Sequence, residues 1–215
     1  ISGPDGVPDG VIDDYDKTNI GSPMPKFTFG WTNTFRYKNF DLSVFINGSY
    51  GNKVYNYLSM KLTHMNSPWT NQLNAVNGRA QLVPINPNKV YEDGTMWYND
   101  VSNVMVANPG ASIPRATIND PNDNDRISDR YIEDGSYIRL KNISLGYTFP
   151  KKTIDKLGLS NLRIYANIQN LLTITGYDGY DPEIGASTSS VNVYGLDNGR
   201  YPSPTVYSFG LNVSF

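Results

Sequence analysis

The 215-residue chain has no cysteine, a single histidine and no run of about 18 consecutive apolar residues. Without cysteine there is neither a disulfide framework nor a thiolate metal centre, which suits passage through an oxidising periplasm and equally many cytosolic chains. The one imidazole, His64, would have to serve alone in any histidine-based metal site or Ser-His-Asp triad, and in a long stretch without nearby acidic partners it reads as a surface residue. The missing apolar run excludes a transmembrane helix and leaves a membrane barrel open, because barrel strands alternate. Charge is scarce and balanced, 18 basic against 20 acidic residues for a net −2, so no basic stripe steers the chain to nucleic acid. The opening "ISGPDGVPDG" has neither the basic start nor the apolar core of a signal peptide, so the chain is expected to be mature or a fragment.

What is present is period-two alternation. "VYSFGLNVSF" places Tyr207, Phe209, Leu211, Val213 and Phe215 on one face. "LRIYANIQNL" does the same with Leu162, Ile164, Ala166 and Ile168, and "NISLGYTF" with Ile143, Leu145, Tyr147 and Phe149 before Pro150 ends it. Near the start, "FTFGWTNTFRY" and "FDLSVFINGSY" carry Phe27, Phe29, Trp31, Phe35 and Tyr37, then Phe40, Leu42, Val44, Ile46 and Tyr50. Only Lys38 and Asn39 separate these two, predicting a two-residue hairpin in which Tyr37 faces Phe40, Phe35 faces Leu42 and Trp31 faces Ile46. Phe45 breaks the polar phase.

The apolar residues are also banded, with aliphatic side chains such as Leu42, Val44, Leu145 and Leu211 in mid-strand and aromatic ones towards the ends. A lipid slab produces this order; the alternation by itself is shared with the inner faces of a soluble β-sandwich. The reading is all-β, with strands near 26–37, 40–50, 137–149, 162–172 and 206–215 and loops at 1–25, 51–136 and 174–205. Connections alternate long and short, as extracellular loops and periplasmic turns do in outer-membrane barrels. Five strands cannot close a membrane barrel, so the rest of the wall is expected outside this chain.

These blocks resemble the SusC/RagA family of TonB-dependent outer-membrane transporters. The resemblance lies in "YIEDGSYIRLKNISLGYTFP", "LRIYANIQNLLTITGYDGYDPEIG", "GLDNGRYPSPTVYSFGLNVSF" and the early "DGVIDDYDKTNIGSPMPKFTFGWTNTFRYKNFDLSVFINGSYGNKVYN", in that order. It implies the C-terminal part of a barrel of about 22 strands in the bacterial outer membrane, its plug and earlier strands absent from this chain. It further implies import of bulky nutrients, glycan oligosaccharides or peptides, with a SusD-like surface lipoprotein as lid and the TonB complex as energy source. The terminal strand, Tyr207, Phe209, Leu211, Val213 and Phe215, resembles the signal read by the barrel-assembly machinery.

Outside the strands, "DGVPDGVIDDYD" offers a partial EF-hand pattern for calcium: Asp5, Asp9, the Val11 carbonyl, Asp13 and Asp16, with Gly10 at the sharp turn. Val7 stands where a third side-chain ligand belongs, so a solvated Asp/Gly turn competes with this reading. Asp120, Asp123 and Asp125 could attract a hard cation but read as a polar loop. Glu133 with Asp134, or Asp181 with Glu183, are too common as pairs to indicate a glycosidase. Trp69, Trp97, Tyr98, Tyr177, Tyr180 and Tyr194 lie among Asn and Asp, a setting suited to stacking on sugars or packing against a lid. The expected function is transport without catalysis. The alternatives are a secreted β-sandwich carbohydrate-binding module with a calcium-supported loop and, behind it, a β-rich glycosidase fragment.

Overall fold

The computed structural model describes residues 3–120, 122–183 and 194–215. Ile1, Ser2 and 184–193, which belong to the expected loops 1–25 and 174–205, lie outside the described residues. The strands, in chain order, are β1 (Phe27–Tyr37), β2 (Phe40–Tyr50), β3 (Lys53–Asn56), β4 (Leu82–Pro84), β5 (Val104–Val106), β6 (Ile132–Asp134), β7 (Tyr137–Thr148), β8 (Asn161–Thr175), β9 (Leu196–Asp197) and β10 (Val206–Ser214). They fall into two compact units, Ile1–Tyr55 with Ile132–Phe215, and Asn56–Tyr131.

The first unit is built on an open antiparallel sheet of five long strands, in the order β1-β2-β7-β8-β10. The hairpin register follows from the sequence: Tyr37 pairs with Phe40, Phe35 with Leu42 and Trp31 with Ile46. Lys38 reaches φ 51°, the left-handed value that the primed two-residue turns need at their first central position. Alternation then stacks like faces across all five strands. One row reads Phe35, Leu42, Leu145, Ala166, Phe209, and the adjacent polar row reads Thr34, Ser43, Ser144, Asn167, Ser208. Phe45 lies on the polar face because its ring covers Gly30, where an added Cβ would meet it at 3.2 Å.

The register breaks once. Asn142 pairs with Phe45, but Leu140 rather than Lys141 pairs with Ile46. On the other side Leu140 opposes Leu172 while Asn142 opposes Gln169. Counting by twos from Ile143 would put Lys141 and Arg139 on the apolar face. The bulge resets the phase, so Leu140 and Ile138 continue that face and Arg139 joins Asn47 and Thr173 on the polar one.

No hydrophobic side chain on the apolar face of this sheet is buried among the described residues; Trp31, Phe35, Leu145, Phe209 and Leu211 are 47–84% exposed. A sandwich would cover such a face with a second sheet. The buried apolar residues of the unit are instead Val54, Ile154 and Tyr177. A smaller sheet, β6-β3-β9, stands in the region expected to be loop.

The second unit begins with a helix, α1 (Tyr57–Thr63), whose N-terminus is capped by Asn56 Oδ1 accepting from Ser59 N at 2.9 Å. Single 3-10 turns and the β4–β5 hairpin, pairing Leu82 with Val106 and Pro84 with Val104, punctuate an otherwise irregular path. Its buried apolar residues are Met60, Ile113 and Tyr131, so polar side chains carry much of its order.

Candidate functional site

The bulge between β7 and β8 brings a buried cation under the segment that follows β8. Arg139, 3% exposed, donates from Nε to Thr173 Oγ1 at 2.8 Å, from Nη1 to Glu183 Oε2 at 2.6 Å and from Nη2 to Asp181 Oδ1. Lys141 Nζ shares the same Glu183 oxygen at 2.6 Å. Asp181 also accepts the backbone N–H groups of Glu183 and Ser203, each at 2.9 Å. Burial pushes the Asp181 carboxyl up, but the bonds from Arg139, Ser203 and Glu183 outweigh it and hold the group below the usual carboxylate range. A carboxyl held ionised cannot serve as the general acid of a glycosidase, which needs a raised pKa. The cluster ties the segment that follows β8 to the wall.

The same segment is tied at two further points. Tyr177, 5% exposed, donates from its hydroxyl to Asp197 Oδ2 at 2.5 Å, and burial followed by this bond pushes the phenol pKa up. Asp178 N donates to Glu133 Oε2 at 2.9 Å. Further along the polar face, Arg163 Nη2 reaches Asp41 Oδ2 at 2.5 Å. This crossing needs Gly146, where a Cβ would collide with both side chains.

The aromatic residues expected to meet a ligand are divided between the two units. Tyr177 is a buried hydrogen-bonded side chain and not a free stacking surface, because its ring closes the segment it belongs to. Tyr180 is exposed, and Tyr194 lines a small cleft of about 150 Å³ with Ile20, Pro23, Lys53 and Tyr55. In the other unit, Trp97 and Tyr98 make an edge-on contact at 5.7 Å, and Trp69 is almost wholly exposed.

The Asp-rich loop is a series of local turns. Asp5, Asp9 and Asp13 each accept the N–H two residues on, from Val7 at 3.2 Å, Val11 at 2.9 Å and Tyr15 at 2.8 Å, while Asp16 accepts from Asp13 N at 3.0 Å. Gly10 takes the positive φ that the turn requires. The four carboxylates do not converge within 4.8 Å as the expected calcium cage would require. Among the described residues, the group that does converge is His64 with Asp120 and Asp125. His64 is thus neither a surface residue nor without acidic partners: its side chain is 11% exposed, Nε2 lies 2.8 Å from Asp120 Oδ2 and Nδ1 lies 4.0 Å from Asp125 Oδ2. Burial raises the Asp120 carboxyl, and hydrogen bonds from Asn124 and His64 more than reverse this. Folding brings together residues that are 56 positions apart, which no local spacing signals.

Similarity to known proteins fits the open wall with its apolar outer rows. No family profile matches the chain. It is 36% identical to TonB-dependent receptor P3 of Formosa agariphila over 96% of its own length, which is 18% of that protein. TonB-dependent receptor P26 of the same organism is 33% identical over 96% of the chain and 19% of its own length, and TonB-dependent receptor SusC of Bacteroides thetaiotaomicron is 29% identical over 96% and 17%. Over nearly its whole length the chain is similar to TonB-dependent receptors, SusC among them. In fold it is similar to structures described as the RagAB peptide transporter, TM-score 0.62, and the RagAB peptide importer in its open-open state, TM-score 0.60, each at 20% identity over 91% of this chain and 18% of the matched one. The chain thus spans about a fifth of the length of these relatives, and its open five-stranded sheet is part of a barrel wall.

The Arg139 cluster is the feature of this chain that alternation alone misses. Its signal was in the sequence: Arg139 and Lys141 fall in the phase of Ile143 and Leu145, and two cations on an apolar face demand a phase break.

Proposed function

We propose that the complete receptor of which this chain forms part imports bulky nutrients, glycan oligosaccharides in the first place, across the bacterial outer membrane. The observation that carries this reading is 36% identity over 96% of the chain to a TonB-dependent receptor. The exposed apolar face of the five-stranded sheet supports it: on a soluble protein these rows would be an uncovered hydrophobic patch, and in a barrel they meet lipid. The opposite face, with Arg163, Asp41, Asn167 and Ser144, then lines the lumen. The TonB complex supplies energy, a SusD-like lipoprotein covers the mouth, and the barrel-assembly machinery inserts the wall. The chain has no catalytic role in this scheme, in keeping with the ion-paired state of Asp181 and Glu183.

Deleting the complete receptor's gene and measuring growth and uptake on a panel of oligosaccharides tests the reading. Loss of uptake of one glycan class, restored by the intact gene, is expected. Unchanged growth on every glycan together with loss of peptide uptake would shift the substrate to peptides. A receptor that stays soluble and monomeric without detergent would overturn the membrane reading.

A further inference from the structure

We propose that the apolar face carries a specific seat for an anionic phospholipid, an acyl chain lying in a groove over Ala166 and the phosphate held by basic turns at the groove's end. The proposal rests on the reading of this face as lipid-exposed.

The groove comes from one small residue. In the row Leu42, Leu145, Ala166, Phe209, the alanine offers a methyl where its neighbours offer large side chains. The next row in the same phase, Phe40, Tyr147, Ile164, Leu211, is bulky throughout. Between the two rows lies the backbone of Gly146, Tyr165 and Gly210, whose Cα positions form the floor. The result is an open cleft of about 550 Å³ with almost wholly apolar walls. That volume lies within the roughly 300 to 1,000 Å³ typical of ligand clefts. A flat barrel wall gives a lipid chain contact on one side only, whereas a cleft surrounds it and multiplies the dispersion contacts.

At its Phe40 and Tyr147 end the groove lies within two to four residues of basic turns. Phe40 and Tyr147 rings lie 4.7 Å apart and Tyr147 and Phe149 5.0 Å apart, forming an aromatic step of the kind that marks a headgroup level. The Tyr147 hydroxyl is 3.5 Å from Asn39 Nδ2, and Thr148 N donates to Asn39 O at 2.9 Å, which ties the β1–β2 turn to the end of β7. That turn exposes Lys38, and the helical turn just beyond Pro150 exposes Lys151 and Lys152. Asp155 is the acidic residue of these turns, so the local balance is positive. Apolar cleft, aromatic step and cations follow one another in the order of a phospholipid's parts. Continuity with the lipid-facing rows on both sides fixes the occupant as a membrane lipid, and the charge selects an anionic headgroup.

The test uses the complete receptor, reconstituted in nanodiscs of phosphatidylcholine doped with phosphatidylglycerol, with retained lipids counted by native mass spectrometry after gentle release. The expected result is preferential retention of phosphatidylglycerol. Ala166→Leu, which fills the cleft, lowers retention of both lipids by about tenfold. Lys38→Gln, Lys151→Gln and Lys152→Gln, at exposed positions of these turns, lower phosphatidylglycerol retention by about fivefold per charge and leave phosphatidylcholine unchanged. Should Ala166→Leu fail to assemble, the lysine variants still decide. A heat-modifiable, inserted barrel that retains the two lipids equally, or in which the lysine variants change nothing, overturns the seat and leaves the membrane reading standing. A receptor that does not enter nanodiscs at all overturns the membrane reading and the seat with it.

Discussion

The five-stranded wall and the Asn56–Tyr131 unit are ordered by different parts of the polypeptide. In the wall, backbone ladders run through β1, β2, β7, β8 and β10, and side chains need only respect a face. In the other unit, strands are three residues long and side chains take the place of the ladder. Asn103, 4% exposed, accepts from Asn86 N at 2.8 Å and donates to Asn86 O at 3.1 Å and Tyr91 Oη at 2.9 Å. Asp100 caps a turn through Ser102 N and also holds Lys89 Nζ at 2.5 Å and Tyr91 Oη at 2.9 Å; with Lys89 as the chief cause, these bonds hold its carboxyl far below the usual range. The wall should therefore tolerate polar exchanges that keep its phase, except at tight glycines such as Gly146. The other unit should be indifferent to phase and sensitive to single amides.

The largest break is expected at Arg139, where the wall departs from its own rule. Arg139→Leu leaves the Asp181 carboxylate buried without its cation, a loss of about 3 to 5 kcal/mol. Hydrogen exchange on the complete receptor should then show residues 176–183 unprotected while β2 and β10 stay protected. The same segment should loosen in acid. Asp181 has a folded-state pKa below its unfolded value, so its stabilisation is complete above the ordinary carboxylate pKa of about 3.9 and is lost as pH falls through the lower folded value. Protection that is independent of pH below that point would contradict the assignment.

Next in size is a charge placed on the apolar rows. Leu211→Arg should cost about 2 to 4 kcal/mol in assembled barrel, and Asn212→Arg, one residue on and facing the other way, much less. Equal yields would mean that the faces are assigned wrongly.

This asymmetry explains what could be read in advance. Phe35, Leu42, Leu145 and Phe209 announce their shared face by period two, and the Lys38–Asn39 spacing sets the hairpin register without further information. The bulge at Lys141 was legible only as a contradiction, two cations in an apolar phase. The pairing of His64 with Asp120 was not legible, because it depends on the path of the whole intervening chain. The aromatic residues outside the wall gave a list and not an arrangement. Tyr177 turned out to be buried because Asp197, twenty residues on, accepts its hydroxyl.

Within the second unit the comparison is sharpened by Asn103→Ala. The substitution deletes a buried amide that makes three hydrogen bonds, to Asn86 N, Asn86 O and Tyr91 Oη, and about 1 to 3 kcal/mol should follow, seen as exchange at Asn86 and Tyr91. Thr34→Ala on the wall's polar face, which keeps its ladder partner Ser43, should fall well under this.

The smallest effect should have the opposite sign. Lys38 holds φ 51° in a two-residue turn, and a side chain with a Cβ meets steric resistance there that glycine does not. Lys38→Gly relieves that resistance but gives the unfolded chain more freedom, so the two contributions partly cancel and the net gain should be about 1 kcal/mol or less. Asn39, which bonds Tyr147 and Thr148, is untouched by the change, and the ladder from Tyr37–Phe40 onward keeps its register. Unfolding of the complete receptor in denaturant should show a small rise in midpoint with an unchanged slope. A fall of more than about 1 kcal/mol would show that the lysine side chain itself, through its contact with the Tyr37 ring at 5.3 Å, matters more to the turn than its backbone angle does.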